Sequence, residues 1–307
     1  MDSTCFSRRA VLSSIAHGVA VALLAPAGRV LASPPLALGS LAELEQAHGG
    51  RLGVCMLDAM TLEPVLVHRA GERFGMCSTF KLLLAGAVLR EAEAGRMDLA
   101  EQVPVSRDDL VPHAPVVERH LDAGMLSLRE LAHAIVTVSD NAAANLLLAR
   151  FDGPAGFTRY LRGMGDTVTR LDRVEPAMNL VLPGEDHDTT TPRAMAGTTA
   201  RLLNGALLGE DARATLKQWL VETRTGLHRL RAGLPAEWEV GDKTGTGIAP
   251  GMPNRHNDVA VVWRDGKPAL VVAAYYEAGG TYPQMRAEDD AVLAAVGARV
   301  AQAWPGR

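Results

Sequence analysis

The sequence predicts a mixed α/β (α+β) protein. An antiparallel sheet with flanking helices is built from both chain ends, and an all-helical lobe is inserted between them. Three observations carry this expectation. Short strand-like apolar runs occur between Arg51 and Arg69 and return between Trp238 and Glu277. The long stretch separating them is helical in composition and spacing. The chain has 307 residues, 48% hydrophobic and 21% charged, enough to bury a large core without staples.

In chain order, residues Met1 to Ala32 read as an export signal outside the fold. Arg8-Arg9 give a basic start, Ala10 to Ala25 an apolar stretch, and Val30-Leu31-Ala32 small-residue cleavage chemistry. The Ser7-Arg8-Arg9-Ala10-Val11-Leu12 run resembles a twin-arginine signal, with a plain secretory signal as the alternative, and either route implies an exported, periplasmic protein. That stretch is short of the ~20 apolar residues a bilayer span needs, and no later segment supplies them.

Leu38, Leu41, Leu44 and Ala47 predict an amphipathic helix over Leu36–His48, ended by Gly49-Gly50. Arg51–Asp58 and Pro64–Arg69 predict an antiparallel hairpin. Helices are expected over Lys81–Glu93, Ser127–Val138, Asn141–Arg150 and Arg193–Leu208. The second opens on a Ser127/Glu130 capping box. Strands follow at Trp238–Thr244, Asp258–Arg264 and Ala269–Glu277, with Asp265-Gly266 as the turn between the last two. A helix over Tyr282–Trp304 closes the chain. The expected division is therefore 33–70 with 225–307 as the α/β lobe, and 71–224 as the helical lobe.

Composition excludes several classes. With 31 Lys+Arg against 35 Asp+Glu and 4% aromatics, neither a basic nucleic-acid face nor a stacking platform is expected. The nine histidines show no metal-ligand spacing, so no metal and no cofactor is expected. Gly245-Thr246-Gly247 lacks the third glycine of a dinucleotide loop. Cys55 and Cys77 read as buried thiols, with a bridge between them left open.

Chemistry concentrates in three short motifs. Ser78 and Lys81 in Cys77-Ser78-Thr79-Phe80-Lys81 are three residues apart at a helix start, so amine and hydroxyl share one face. A serine hydroxyl needs such a base to become a nucleophile, and the helix N-terminus offers free N–H groups for an oxyanion. Ser139-Asp140-Asn141 lies between two expected helices. Lys243-Thr244-Gly245 ends an expected edge strand. In this order the motifs match the S-x-x-K, S-D-N and K-T-G set of penicillin-recognising serine enzymes.

From Leu36 onward the chain resembles a class A serine β-lactamase. Arg173-Val174-Glu175-Pro176-Ala177-Met178-Asn179, followed by Asp188-Thr189-Thr190, resembles that family's Ω-loop. The resemblance implies the β-lactamase/transpeptidase-like fold and hydrolysis of penicillins and cephalosporins through an acyl-serine. It also implies a monomer whose partners are small-molecule lactams. Ser78 would be the nucleophile, with Lys81 or Glu175 as acylation base. Glu175 and Asn179 would hold the deacylating water, and Ser139 would relay a proton to the lactam nitrogen beside Lys243. Asn141 would meet the substrate's side-chain amide. Thr244, Gly245 and Thr246 would line the carboxylate end, and the Ser78 and Thr246 N–H groups would form the oxyanion hole. Arg173 and Asp188 would pin the loop as an ion pair.

The carboxylate pocket is expected to use Arg229 rather than Arg255, with Arg231 structural. His113 stands where the family often has Tyr or Trp beside the site. The disulfide that some carbapenemases make from the Cys77 position lacks its partner, because Gly247 stands there. The segment Ile248–His256 looks long. Two alternatives share the same Ser/Lys set: a peptidoglycan DD-peptidase and a lactam receptor that acylates without turnover. Glu175 argues against both, because a lactam's amine leaving group stays tethered and only a driven water empties the site.

Overall fold

In the computed structural model, residues 39–304 are described; the expected export signal and the first residues of the expected opening helix lie outside them. Helix α1 (Leu41–His48) begins later than its apolar spacing suggested, because Ser40 is its N-cap and closes a capping box with Glu43. The hairpin of β1 (Arg51–Asp58) and β2 (Pro64–His68) forms as expected, and β1 also pairs with β9, described below.

Short β3 (Phe74–Gly75) leads into α2 (Phe80–Glu93), which is buried on nearly every side. That is why it carries a Leu/Ala run with no polar face. Gly86 lets α7 (Pro192–Leu203) approach: a Cβ there would stand 2.6 Å from Leu202 Cδ1. Next come β4 (Gln102–Pro104), α3 (Pro115–Arg119), β5 (Met125–Ser127), α4 (Leu128–Thr137) and α5 (Asn141–Ala149). The Ser127/Glu130 box starts α4 as read from sequence. Besides short α3, two longer helices went unread there: α6 (Gly153–Gly163), behind an Asp-Gly-Pro turn signal, and α8 (Glu210–Glu222). Between them lie β6 (Thr189–Thr190), which pairs with β3, and α7 (Pro192–Leu203). Helix α7 stops five residues before the expected Leu208, at Asn204 and the left-handed Gly205.

After the one-turn α9 (Leu230–Gly233), β7 (Glu239–Gly247), β8 (Arg255–Arg264) and β9 (Lys267–Glu277) complete a five-stranded antiparallel sheet in the order β2-β1-β9-β8-β7. Asp265 and Gly266 both take positive φ in the turn, as their sequence predicts. Strand β8 begins three residues before the expected Asp258. Its first residues, Arg255, His256 and Asn257, are polar yet buried, which hid the strand from an apolar count. Helix α10 (Ala287–Ala303) is shorter than the expected Tyr282–Trp304 and carries Glu288, Asp289 and Asp290 in its first turn.

Leu52, Val54 and Met56 of β1 pack with Leu41, Leu44, Leu293 and Val296 of α1 and α10. Cys55 and Leu57 point the other way, into a larger core with α2, α4, α5 and α7. Each sheet face is therefore covered, and β7 remains an edge. Cys55 and Cys77 are buried free thiols, so the bridge between them left open by the sequence is not formed. Among the described residues, no helix is long and apolar enough to cross a membrane.

Replacing Ser127 with Ala removes the α4 cap and should lower the unfolding free energy by about 1 kcal/mol, read from the urea midpoint at unchanged m-value.

Candidate active site

Ser78 sits in the 3₁₀ turn Cys77–Thr79 that feeds α2. Cys77 takes φ +46°, a conformation side chains resist, so the turn must be held from outside. Strand β7 does this. A Cβ at Gly245 would stand 2.7 Å from the Met76 carbonyl oxygen, and one at Gly247 would stand 2.8 Å from Cys77 Sγ. Asn257 of β8 adds hydrogen bonds to the carbonyls of Gly75 and Met76, at 2.9 and 3.1 Å. Burial pushes the Cys77 thiol up to about 12, so it is no rival nucleophile.

One helical turn on, Lys81 directs its amine back at Ser78. Lys81 Nζ lies 3.0 Å from Ser78 Oγ and 3.0 Å from Glu175 Oε1, with both charged side chains fully buried. It also donates to the Ser139 carbonyl at 2.9 Å and to Asn141 Oδ1. Burial lowers the Lys81 pKa, opposed by the neighbouring Glu175 carboxylate.

The Ser139-Asp140-Asn141 motif works as a splice between α4 and α5. Asp140 caps α5 through Ala143 N at 2.9 Å and also accepts from Val116 N at 2.8 Å, at the start of α3. That leaves Ser139 at φ +61° with its hydroxyl between two amines, 3.4 Å from Lys81 Nζ and 3.1 Å from Lys243 Nζ. Burial, then the nearby Lys81 charge, push the Lys243 pKa down to about 7. Asn141 spends one amide hydrogen on the Pro112 carbonyl at 2.7 Å. Exposed His113 bonds the Val138 carbonyl at 2.8 Å, so its loop is tied to the Ser139 turn.

Glu175 arrives on the Ω-loop. Arg173 Nε meets Asp188 Oδ2 at 2.6 Å, while Asp188 Oδ1 accepts the backbone N–H groups of Asp172 and Arg173. Asn145, which the sequence reading missed, holds Glu175 by its backbone. Its Oδ1 accepts Glu175 N, and its Nδ2 donates to Glu175 O, each at 2.9 Å. The signal was present: Asn145 is one turn beyond Asn141 on the same α5 face. Glu175 Oε2 accepts from Asn179 Nδ2 at 2.5 Å, and Oε1 accepts from Ser78 Oγ at 3.2 Å. Acid and hydroxyl are therefore within direct hydrogen-bond reach of one another.

At the far end of β7, Thr244 Oγ1 donates to Thr225 Oγ1 at 2.8 Å. Arg229 is buried behind the strand and donates to the Gly245 carbonyl at 2.9 Å and to Thr246 Oγ1 at 2.7 Å. Arg255 turns elsewhere, to Glu277 at 3.2 Å and the Val181 carbonyl. Arg231 pairs with Asp242 and is structural in its contacts.

The family description "Beta-lactamase enzyme family" matches residues 39–304. The chain belongs to that family. Its relatives place it in class A. It is 48% identical over 237 residues to beta-lactamase FAR-1 of Nocardia farcinica, covering 77% of this chain and 74% of that one. Against beta-lactamase CTX-M-8 of Citrobacter amalonaticus it is 42% identical, covering 85% and 86%. A solved class A beta-lactamase, the last common ancestor of Gram-negative bacteria, superposes with TM-score 0.80 at 47% identity, covering 86% of this chain and 97% of that one. A beta lactamase from Xanthomonas campestris gives 0.77 at 46% identity, covering 85% and 94%. The class A fold read from sequence is therefore the fold of this chain.

In this class A enzyme, Asn145→Ala removes both bonds that hold the Glu175 backbone. Release of a covalent lactam adduct should slow by about tenfold or more while adduct formation changes less, as time-resolved mass spectrometry would measure.

Proposed function

We propose the following division of labour for the β-lactam hydrolysis, and hence the antibiotic resistance, that this class A enzyme provides. Ser78 attacks the lactam carbonyl and forms the acyl-serine. Either Lys81 or Glu175 takes its proton, since both lie within hydrogen-bond reach of Ser78 Oγ. The backbone N–H groups of Ser78 and Thr246 receive the oxyanion. Ser139, held between Lys81 and Lys243, passes a proton to the departing lactam nitrogen.

The observation that carries the hydrolase reading is Glu175 Oε1 at 3.2 Å from Ser78 Oγ, with Oε2 held by Asn179. Acylation converts Ser78 Oγ to an ester oxygen, which no longer donates. Glu175 is then released to a water. Asn179 Oδ1, buried and without a partner among the described residues, supplies a second acceptor for it. A DD-peptidase or a receptor that stays acylated has no use for a carboxylate placed there. Asn141 meets the substrate's side-chain amide with its second amide hydrogen. His113 flanks the opening, and Thr244, Gly245, Thr246 and Arg229 form the carboxylate end. Arg173 and Asp188 keep the loop pinned.

The same proposal covers the rest of the molecule. Residues 1–32 direct export, by the twin-arginine route, to the periplasm, where the enzyme works as a monomer. Residues 33–70 with 225–307 form one lobe and 71–224 the other.

Glu175→Ala should still form an adduct on Ser78 but clear it about 10²–10⁴ times more slowly, leaving a persistent mass increment after penicillin addition. Parent-like turnover by that variant would remove Glu175 from the mechanism, and Ser78→Ala should take up no adduct at all.

The lowered Lys243 pKa, about 7, sets a pH dependence. Its ammonium is present below that value and lost above it, so kcat/KM for anionic lactams should fall from pH 6.5 to pH 8.5 by about tenfold. Lys243→Arg, which keeps its charge throughout, should flatten the fall.

A further inference from the structure

Beneath the carboxylate end of the site lies a buried ionic chain that the reaction scheme does not use. Arg229 has five N–H donors. Nε goes to Asp290 Oδ1 at 2.8 Å. NH1 spends its two on the carbonyls of Gly245 and Asn257, at 2.9 and 2.8 Å. NH2 gives one to Thr246 Oγ1 at 2.7 Å. The remaining hydrogen is also on NH2, the nitrogen bonded to Thr246. Arg229 is thus fixed in place, and what it offers to a ligand at Thr246 is that hydrogen and its charge.

Asp290 withholds part of that charge. Its Oδ1 is shared between Arg229 Nε and His256 Nδ1, the latter at 2.9 Å. Burial raises the Asp290 pKa, but the His256 bond and the Arg229 charge outweigh it, so the net shift is downward and the carboxyl stays ionised. An ionised carboxylate only accepts, so His256 Nδ1 carries a proton. The second proton of the ring would go on Nε2, which faces Asp289 Oδ2 at 3.5 Å with the whole ring buried. Asp289 is itself paired with Arg286 at 2.6 Å.

The remaining neighbours of His256 are Thr246 across β7 and Tyr276 across β9, and Asp258 lies two residues along its own strand. Burial, then Asp242, push the Asp258 carboxyl well up, opposed by the Arg229 charge. Tyr276 is pushed up to about 12 and stays neutral. Two guanidinium groups thus face two carboxylates. The chain is neutral with His256 singly protonated and carries one positive charge once Nε2 is protonated.

We propose that His256 is a positioning residue for the carboxylate end of the site. Through the Asp290 oxygen it shares with Arg229, it sets how much positive charge reaches Thr246, and anionic lactams bind more tightly when the ring is doubly protonated. The inference rests on the reading that Thr246 and Arg229 receive a substrate carboxylate.

The test is KM against pH, from 5.5 to 8, for a penicillin with the parent enzyme and with His256→Asn. The Asn amide supplies the Nδ1-type donor to Asp290 but does not titrate. Lys243 titrates in both proteins and drops out of the comparison. The parent's KM should rise by roughly three- to tenfold more than the variant's over this range, with kcat within about twofold. Asp290→Asn removes the anion without changing shape. It should bring KM at pH 8 below the parent's at that pH and leave only the pH dependence that His256→Asn retains, and that slope decides the matter if His256→Asn does not fold. Superimposable KM profiles for parent and His256→Asn, or an Asp290→Asn KM at pH 8 no lower than the parent's, overturn the role of His256 while leaving lactam hydrolysis intact. A parent that opens no lactam overturns the function itself, and this inference with it.

Discussion

A fully buried ammonium facing a fully buried carboxylate is the constraint on which the rest of the site depends. Lys81 and Glu175 meet at 3.0 Å with no exposed side-chain surface. Desolvating two such charges costs several kcal/mol each, and their attraction offsets this only if other hydrogen bonds satisfy both groups. The surroundings supply them. Ser78, Ser139 and Asn141 accept from the amine, and Asn179 and Ser78 donate to the carboxylate. Each structural oddity nearby serves that requirement: the left-handed backbone at Cys77 and Ser139, the glycines of β7, and the Asp188 clamp on the Ω-loop.

In the proposed mechanism this arrangement also makes the amines at the site reactive. Lys81 and Lys243 both lose pKa to burial, and each approaches the Ser139 hydroxyl. Two ammonium groups that close repel one another, so the pair favours giving up one proton near neutral pH. A base for Ser78 and an acid for the lactam nitrogen can then coexist on either side of one hydroxyl. Proton transfer across Ser139 needs only short moves between fixed positions.

Much of this was legible in the sequence because it is local. Ser78 and Lys81 are one turn apart, the Ser127/Glu130 box starts α4, and Asp265-Gly266 sets the β8–β9 turn. The site residues read from motifs lie along one path, from Glu175 through Ser78, Lys81 and Ser139 to Lys243. What escaped was polar and non-local. Strand β8 opens on buried Arg255, His256 and Asn257, whose partners are up to 182 positions away. Asn145 declares its task only once the Ω-loop is folded against α5. Helix α6 hid behind a Gly-Pro pair that reads as a turn but serves as its first residues.

The buried acids and bases behind β7 follow from the same economy of charge. Thr244 and Thr246 are neutral, so in the proposed reading affinity for an anion at that end comes from Lys243 and from Arg229 behind the strand. Arg229 is buried, and an unpaired guanidinium there would be too costly to keep, so Asp290 accompanies it. The same carboxylate then works against the anion the site has to hold. A bare Arg–Asp pair leaves that conflict fixed. A third group on the shared oxygen, His256, would on the inference above make the balance depend on a single proton while every hydrogen bond that holds Arg229 stays in place.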